Sequence, residues 1–414
     1  MHLPTTEHLR SQWVALQPVR RNPWEAVKEL LGSKQFWITL IALSVLTQLL
    51  AESRLADGLN NAGLDAALVF ANPPTTLKDV IVVEIDQPTF EHNFNSHLPA
   101  DIVTLRRLLE LLETGHPTAI AVDLELTKPI DFASHPSSLA FSAPIIWSTG
   151  LRWDEAHPNY LPAFNGTIFG VARVLRGRDG IVRRYSPETS VDGSTYPTLV
   201  GAVLGQVCEP STRYSPTWKG CREHNDGPSL IRFVSDTQQI LHLPAGTLLD
   251  MSAAEAAQAA DVLRGKIVVL GGTFAESRDI HITPTGIQPG VYIQAQAVAT
   301  AIQGGGLHEP NAGLLFAEKV FAGVIVGILA AVLSSRWTVY LHLLIVPVSS
   351  LFIAIVAFKA DYWVSFVPVL MSGFIHQWYH DLGPASRRTP SGHQETPAQL
   401  TAPASASRPY PAAH

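Results

Sequence analysis

Hydrophobic positions in this chain follow two patterns, and each predicts its own kind of element. The first pattern is the uncharged run. Phe36 to Ala51 reads FWITLIALSVLTQLLA, and continued back through Leu30 and Leu31 it approaches the roughly 20 residues that a helix needs to cross a bilayer. Three more such runs come late, Val320 to Ser334, Thr338 to Phe358 and Tyr362 to Trp378, joined by turns too short to hold a domain. The earliest of the three lengthens only through Glu318 and Lys319, whose side chains snorkel at a membrane surface. Pro347 and Pro368 lie inside the other two, as lipid-embedded helices tolerate. The expectation is four transmembrane helices over 36–51, 313–335, 338–358 and 362–379. The first is expected to be an uncleaved anchor instead of a signal peptide, because its charged leader is long and no clean A-x-A site follows.

The second pattern fills the chain between Asp79 and Gly305, where short continuous apolar runs alternate with helical stripes. DVIVVEID (Asp79 to Asp86), TAIAVDLEL (Thr118 to Leu126), APIIW (Ala143 to Trp147), Ser229 to Val234 and KIVVLGG (Lys266 to Gly272) read as strands. Runs without polar alternation belong to strands covered on both faces, which means a parallel sheet. Helices are predicted over Pro99 to Gly115, Pro197 to Cys208, Ser252 to Leu263 and Gly290 to Gln303, and a hairpin turns at Gly177, Asp179 and Gly180. The predicted fold class is therefore an α/β domain with a mainly parallel sheet and an inserted hairpin, about 225 residues long and large enough for its own core. Glu52 to Phe70, carrying Leu55, Leu59, Ala62, Ala66 and Val69 on one helical stripe, joins this domain to the first span. Asp57-Gly58 and Asn60-Asn61 weaken that helix and leave room for two short ones.

Composition agrees with a chain divided between water and lipid. Of its 414 residues 46% are apolar and 15% charged, with a mean hydropathy of +0.15, against about 25% charge in an average soluble protein. The formal charge of −6 argues against a basic nucleic-acid surface. Arg10, Arg20, Arg21, Lys28 and Lys34 precede the first apolar run, Arg336 lies between the second and third, and Arg387, Arg388 and Arg408 follow the fourth. With four spans all three groups fall on one side, so the positive-inside rule puts both termini in the cytoplasm. The segment 52–312 is then outside, with 18 Lys and Arg against 28 Asp and Glu. Segments 1–35 and 380–414 are cytoplasmic, and the second, rich in Pro, Ala, Ser and Thr, is expected to be disordered. The two cysteines, Cys208 and Cys221, both lie in the outside segment, where a disulfide between them would persist.

The order of the elements resembles a known family. A span, a strand ending in Ile85-Asp86, a helix leading to Ala121-Val122-Asp123 and the turn Asp179-Gly180-Ile181-Val182-Arg183-Arg184 come first. Tyr196-Pro197, Gly265 to Gly272, Asp279-Ile280-His281-Ile282-Thr283-Pro284 and Pro289-Gly290-Val291 follow, and three closely spaced spans close the series. This resembles the second type of CHASE domain, the cyclase and histidine-kinase associated sensing extracellular domain, over about Phe36 to Trp378. The resemblance implies a bacterial extracytoplasmic sensor of mostly unknown ligands, attached through its spans to cytoplasmic kinases or cyclases. Members usually carry a tryptophan-rich turn after the first strand, where this chain has FEHNFNSHLPA (Phe90 to Ala100). An output domain after the spans is not expected, so the implied partner is a separate cytoplasmic signalling protein or a second copy of the chain. The expected place is the bacterial inner membrane.

Candidate chemistry is sparse. Asp86 and Asp123 close buried parallel strands, where α/β sheets hold ligand groups; each equally suits a cap on the following turn. Asp279 and His281 share a face if extended and with Asp86 suggest a metal, but no further ligand stands at a recognised spacing, and His281 reads more simply as a loop-tying residue. Arg183 and Arg184 suit an anionic ligand or a solvated pair. Gly271-Gly272-Thr273 lacks the rest of a phosphate loop and reads as a tight turn. His342, His376 and His380 fall toward the cytoplasmic side, with Trp378 and Tyr379 marking an interfacial belt. No GxSxG, HExxH, Walker or Rossmann fingerprint occurs, so neither catalysis nor a cofactor is expected. The competing readings are an extracytoplasmic enzyme built on Asp86, Asp123, Asp279 and His281, and a structural membrane-assembly module.

Overall fold

Apolar strands with no exposed face organise the molecule around one sheet. The computed structural model describes residues 23–51, 54–70, 77–96, 101–124, 141–149, 168–191, 193–208, 218–221, 227–234, 240–304, 346–359, 362–363 and scattered positions between 313 and 328. Helices α1 (Pro23–Gly32), α2 (Lys34–Ala51) and α3 (Arg54–Phe70) lead to β1 (Val80–Ile85), α4 (Gln87–His92) and α5 (Ile102–Thr114). Strands β2 (Ala119–Asp123), β3 (Ile145–Thr149) and β4 (Ile168–Val171) come next, then the hairpins β5–β6 (Leu175–Arg176, Val182–Tyr185) and β7–β8 (Glu188–Val191, Ser194–Pro197) and helix α6 (Leu199–Val207). The chain continues through β9 (Ser229–Leu230), β10 (His242–Pro244), α7 (Ala245–Asp250), α8 (Ala253–Leu263) and β11 (Ile267–Gly272). It proceeds to the hairpin β12–β13 (Ile280–Thr283, Gly286–Pro289), α9 (Gly290–Ile302) and α10 (Val346–Lys359).

Six strands pair in the order β10-β1-β11-β2-β3-β4, all parallel. This is the mainly parallel α/β sheet that the continuous apolar runs predict. Alternate residues of each strand enter opposite cores. Ile81, Val83, Ile120, Val122, Val268 and Leu270 pack against α5, α7 and α8, whereas Val80, Val82, Ala119, Ala121, Ile267 and Val269 pack against α3, α6 and α9. Local signals place the covering helices. Asp101 and Thr198 cap α5 and α6, and Ser252 with Glu255 forms a capping box on α8.

Several expectations change in detail. The predicted hairpin turns at Gly177–Gly180 as β5–β6, while β4 before it joins the large sheet and β7–β8 after it is a separate hairpin. Strand Ser229–Val234 pairs only over Ser229–Leu230, because beyond it Arg232 and Val234 give their backbone N–H groups to Thr300 and Gln296 side chains of α9. Gly271 and Gly272 continue β11 instead of forming a turn, and the Thr273 N–H extends the ladder to Ile85. Cys208 and Cys221 form a disulfide with Cα atoms 5.1 Å apart. Gly220, beside it, packs so tightly on the end of α9 that a β-carbon there would lie 1.8 Å from the Ala301 carbonyl oxygen.

Glu52 to Phe70 forms one helix from Arg54 onward, and the face it buries is not the stripe of Leu59, Ala62 and Val69. Leu64, Ala67 and Leu68 enter the core, whereas Leu59, Ala62 and Val69 are exposed. Both stripes are apolar at helical spacing, so periodicity alone does not choose between them. The choice follows the polar stripe Asp57, Asn61 and Asp65, which meets the β5–β6 turn.

Helix α2 coincides with the first apolar run, and α10 covers the later part of the third. Among the described residues no helix is long and apolar enough to cross a membrane. Most of the second and fourth runs, His342, His376, His380 and the tail from 380 lie outside the described residues. Phe358 and Trp363 are buried in the same core cluster as β1 and β11.

Candidate functional site

Parallel pairing brings the carboxyl ends of β1, β11 and β2 into register, with Glu84 beside Gly271 and Gly271 beside Asp123. Residues in register on parallel strands point to the same face, here the one covered by α9. Gly271 is the gap that lets α9 approach: a β-carbon there would lie 2.7 Å from Cβ of Val291. The first turn of α9 therefore sits between two carboxylates. Tyr292 donates its hydroxyl to Glu84 at 3.0 Å, and the Thr273 hydroxyl lies 3.3 Å from the same oxygen. Burial, followed by the Glu84 charge and its hydrogen bond, pushes the Tyr292 phenol well above its usual range.

Asp123 is driven the other way from an ordinary carboxylate. Burial raises it from 3.8 to about 7, and the charge of Asp279 adds to the effect. Asp279 folds over the start of α9, where its carboxylate takes the place a Gly290 side chain would need. A helix N-terminus favours that negative charge. Asp279 also accepts a hydrogen bond of 2.8 Å from Nε2 of His281, and Nδ1 of His281 lies 3.0 Å from the Arg176 guanidinium. Arginine only donates, so in this arrangement Nδ1 accepts and Nε2 donates.

Beyond Arg176 in the chain, the β5–β6 turn reaches α3. Arg178 pairs with Asp57 at 2.8 Å, and Asp179 accepts from Asn61 at 3.5 Å. Arg183 holds both oxygens of Asp65, at 2.6 and 2.7 Å, and also bonds Asp179. Although burial opposes its charge, these carboxylates hold the Arg183 guanidinium above its usual range, and its hydrogen bond pulls Asp179 below the usual carboxylate range. Asp57, Asn61 and Asp65 are one helical stripe, so the turn clamps the helix along two of its turns.

The structure therefore brings Asp123, Asp279 and His281 together. Asp86 has a different role: it caps α4, accepting from the Thr89 N–H at 3.0 Å and from the Thr89 hydroxyl. Arg183 faces α3, and Arg184, half-buried, follows it in β6. Among the described residues no three His, Cys, Asp or Glu side chains are grouped so as to hold a metal ion.

The CHASE2 domain family model matches residues 38–334, well over half of the chain. The chain belongs to the CHASE2 domain family. CHASE2 domains are extracellular sensor domains, not catalytic ones. No curated protein and no solved structure matches the chain.

Glu84 and Tyr292 of this CHASE2 domain escaped sequence reasoning, and Thr273 was read only as part of a tight turn. Glu84 had a visible signal, a charge inside the otherwise apolar VIVVEI; the pairing of Thr273 and Tyr292 with it had none, because it depends on register across the sheet. An open groove of about 510 Å³ between α7 and α8, lined by Leu243, Met251 and Val262 among others, lies apart from these residues.

Proposed function

We propose that the chain is a bacterial inner-membrane sensor. It detects an extracytoplasmic ligand or protein at the carboxyl edge of the sheet and passes the change through α3 and four spans to a cytoplasmic signalling protein. The observation that carries this reading is the line of polar groups from Asp123, which feels the charge of Asp279, through the Asp279–His281–Arg176 contacts to the β5–β6 hairpin, whose Arg178 and Arg183 clamp α3. A ligand that altered the charge or position of Asp279 would act on the helix that follows α2 in the chain. Carboxylates at Glu84, Asp123 and Asp279 favour a positively charged ligand over an anion.

The membrane part of the reading has its own support. Ile38, Ile41 and Val45 of α2 and Val348, Phe352 and Val356 of α10 are exposed, as lipid-facing side chains are. With both termini inside, the turn between the third and fourth runs comes out beside the domain. Burial of Phe358 and Trp363 against the domain core supports that arrangement. The Cys208–Cys221 disulfide supports an oxidising compartment.

The test is in-cell cross-linking and affinity purification of the full chain, with and without the paired change Arg178→Met and Arg183→Met. A cytoplasmic signalling protein should be recovered, and its yield should change several-fold in the variant, whose folding is checked by thermal melting. Recovery of no cytoplasmic protein, or equal recovery from a folded variant, overturns the proposal.

A further inference from the structure

The β12–β13 hairpin is inverted for a surface element. Side chains alternate along its strands, and His281, Thr283 and Gln288 take the inner face. There Thr283 donates to the Gly286 carbonyl at 2.7 Å, and Gln288 accepts from Gln296 of α9 at 2.8 Å. The outer face is apolar. Ile280 is 55% exposed, Ile282 53% and Ile287 73%, and Ile282 stands opposite Ile287 across the ladder. A sheet with one solvated face ordinarily turns its polar residues to water; the inner hydrogen bonds hold this one in the opposite register. Exposed arginines rim the isoleucines. Arg278 lies two residues before Ile280, Arg176 reaches His281 from β5 at 3.0 Å, and the Arg178 side chain is 76% exposed. They gather in a segment with ten more acidic than basic residues. The patch is also tied close to the end of α2. Arg178 bonds Asp57, six residues past Ala51, a stretch that covers at most about 20 Å however it runs.

We propose that the face of Ile280, Ile282 and Ile287 docks on the outer surface of the membrane that α2 crosses. The isoleucines enter the boundary of the acyl chains, and Arg176, Arg178 and Arg278 meet lipid phosphates. This rests on the reading of α2 as a span. Three features select lipid as the occupant. The short tether to α2 keeps the patch near the bilayer. Phe358 and Trp363, beside the third apolar run, are buried in the same core layer as α3 and α9, which holds the domain against the membrane at a second place. An apolar face rimmed by arginine matches a surface that sets phosphate above hydrocarbon. A second copy matches it poorly, since in a two-fold contact the patch meets itself, arginine rim against arginine rim.

The experiment uses the full chain, in which the bonded Cys208 and Cys221 leave an introduced cysteine as the free thiol. Ile282→Cys and Ile287→Cys are labelled in detergent with an environment-sensitive fluorophore and reconstituted in vesicles of phosphatidylethanolamine and phosphatidylglycerol. Val103→Cys on α5 and Val262→Cys on α8, exposed on the other side of the sheet, are the references. Thermal melting checks that each variant is folded. Lipid carrying a nitroxide near its headgroup should quench the two hairpin positions several-fold more than the references, and aqueous iodide should quench them several-fold less. Equal quenching by the nitroxide lipid at all four positions overturns the proposal. Shielding from iodide without quenching by the nitroxide lipid also overturns it, because protein then covers the patch. Ile41→Cys, read with a nitroxide deep in the acyl chains, reports separately on α2. Absence of quenching there refutes the span, whatever the hairpin positions show.

Discussion

At the scale of single residues, Asp123 is the group whose environment departs furthest from its sequence neighbours. Its carboxyl is raised from 3.8 to about 7 by burial and then by Asp279. The folded state therefore holds a proton that the unfolded chain has released, and its stability falls as pH rises between those two values. Above the higher value the full deficit is present, on the order of 2–4 kcal/mol. Asp123→Asn keeps the shape and removes the titration, so it should melt like the parent near about pH 4 and higher than the parent near about pH 8. Thermal melts of both proteins across that range measure it; parallel curves would show that Asp123 titrates as an ordinary carboxylate. Sequence reasoning found Asp123 because strand ends are where α/β sheets gather polar groups, and Asp279 because it shares a face with His281. It did not find that Asp123 faces α9 beside Glu84, because facing depends on the register among β1, β11 and β2, which no one strand encodes. Asp86 shows the converse. Its competing role, a cap on the next turn, was already legible in the Pro88 and Thr89 that follow it.

At the scale of elements, helix α6 holds two glycines in opposite circumstances. A β-carbon at Gly201 would lie 1.9 Å from the Pro187 carbonyl oxygen, whereas at Gly205 nothing lies within 4 Å. The same substitution should then have opposite signs. Gly205→Ala should stabilise by about 0.5–1 kcal/mol through helix propensity. Gly201→Ala should destabilise by roughly 1–3 kcal/mol, because α6 must move off β7. Denaturant melts of the two variants check this, and loss of stability in both would mean that the helix does not stand as described. The elements themselves were largely legible: β1, β2, β11, α5, α8 and α9 fall within a few residues of their apolar runs and caps. Short pieces such as β10, α7 and β12–β13 were not legible, because three to six residues carry too little periodicity to separate strand or helix from loop. Helix α3 was legible in position but not in the face it buries, since the deciding contacts come from Arg178, Asp179 and Arg183, more than a hundred residues away in the chain.

At the scale of the whole molecule, the net charge of −6 is the sum of two unlike parts. The segment 52–312 carries ten more acidic than basic residues, so the remainder of the chain is net positive. Basic residues beside spans stay in the cytoplasm, whereas a long acidic domain crosses regardless of its charge. The buried pair Phe358 and Trp363 adds a geometric constraint, because a turn packed on the domain must share its side of the membrane. Topology can therefore be read at three points with single cysteines in the full chain. Val103→Cys, on an exposed face of α5, and Lys359→Cys, at the end of α10, should both react with an impermeant maleimide applied to spheroplasts. Ser391→Cys in the tail should react only after permeabilisation. If Val103→Cys reacts while Lys359→Cys does so only after permeabilisation, the turn lies across the membrane from the domain. The packing of Phe358 could not then hold in the cell, and the count of four spans would fall with it. Joint reaction of Val103→Cys and Lys359→Cys, with Ser391→Cys silent, requires an even number of crossings between the first two positions and an odd number between Lys359 and Ser391, so that the domain and the turn face the same compartment. That is the arrangement in which a displacement of α3 and a displacement of the third and fourth spans are felt by one core.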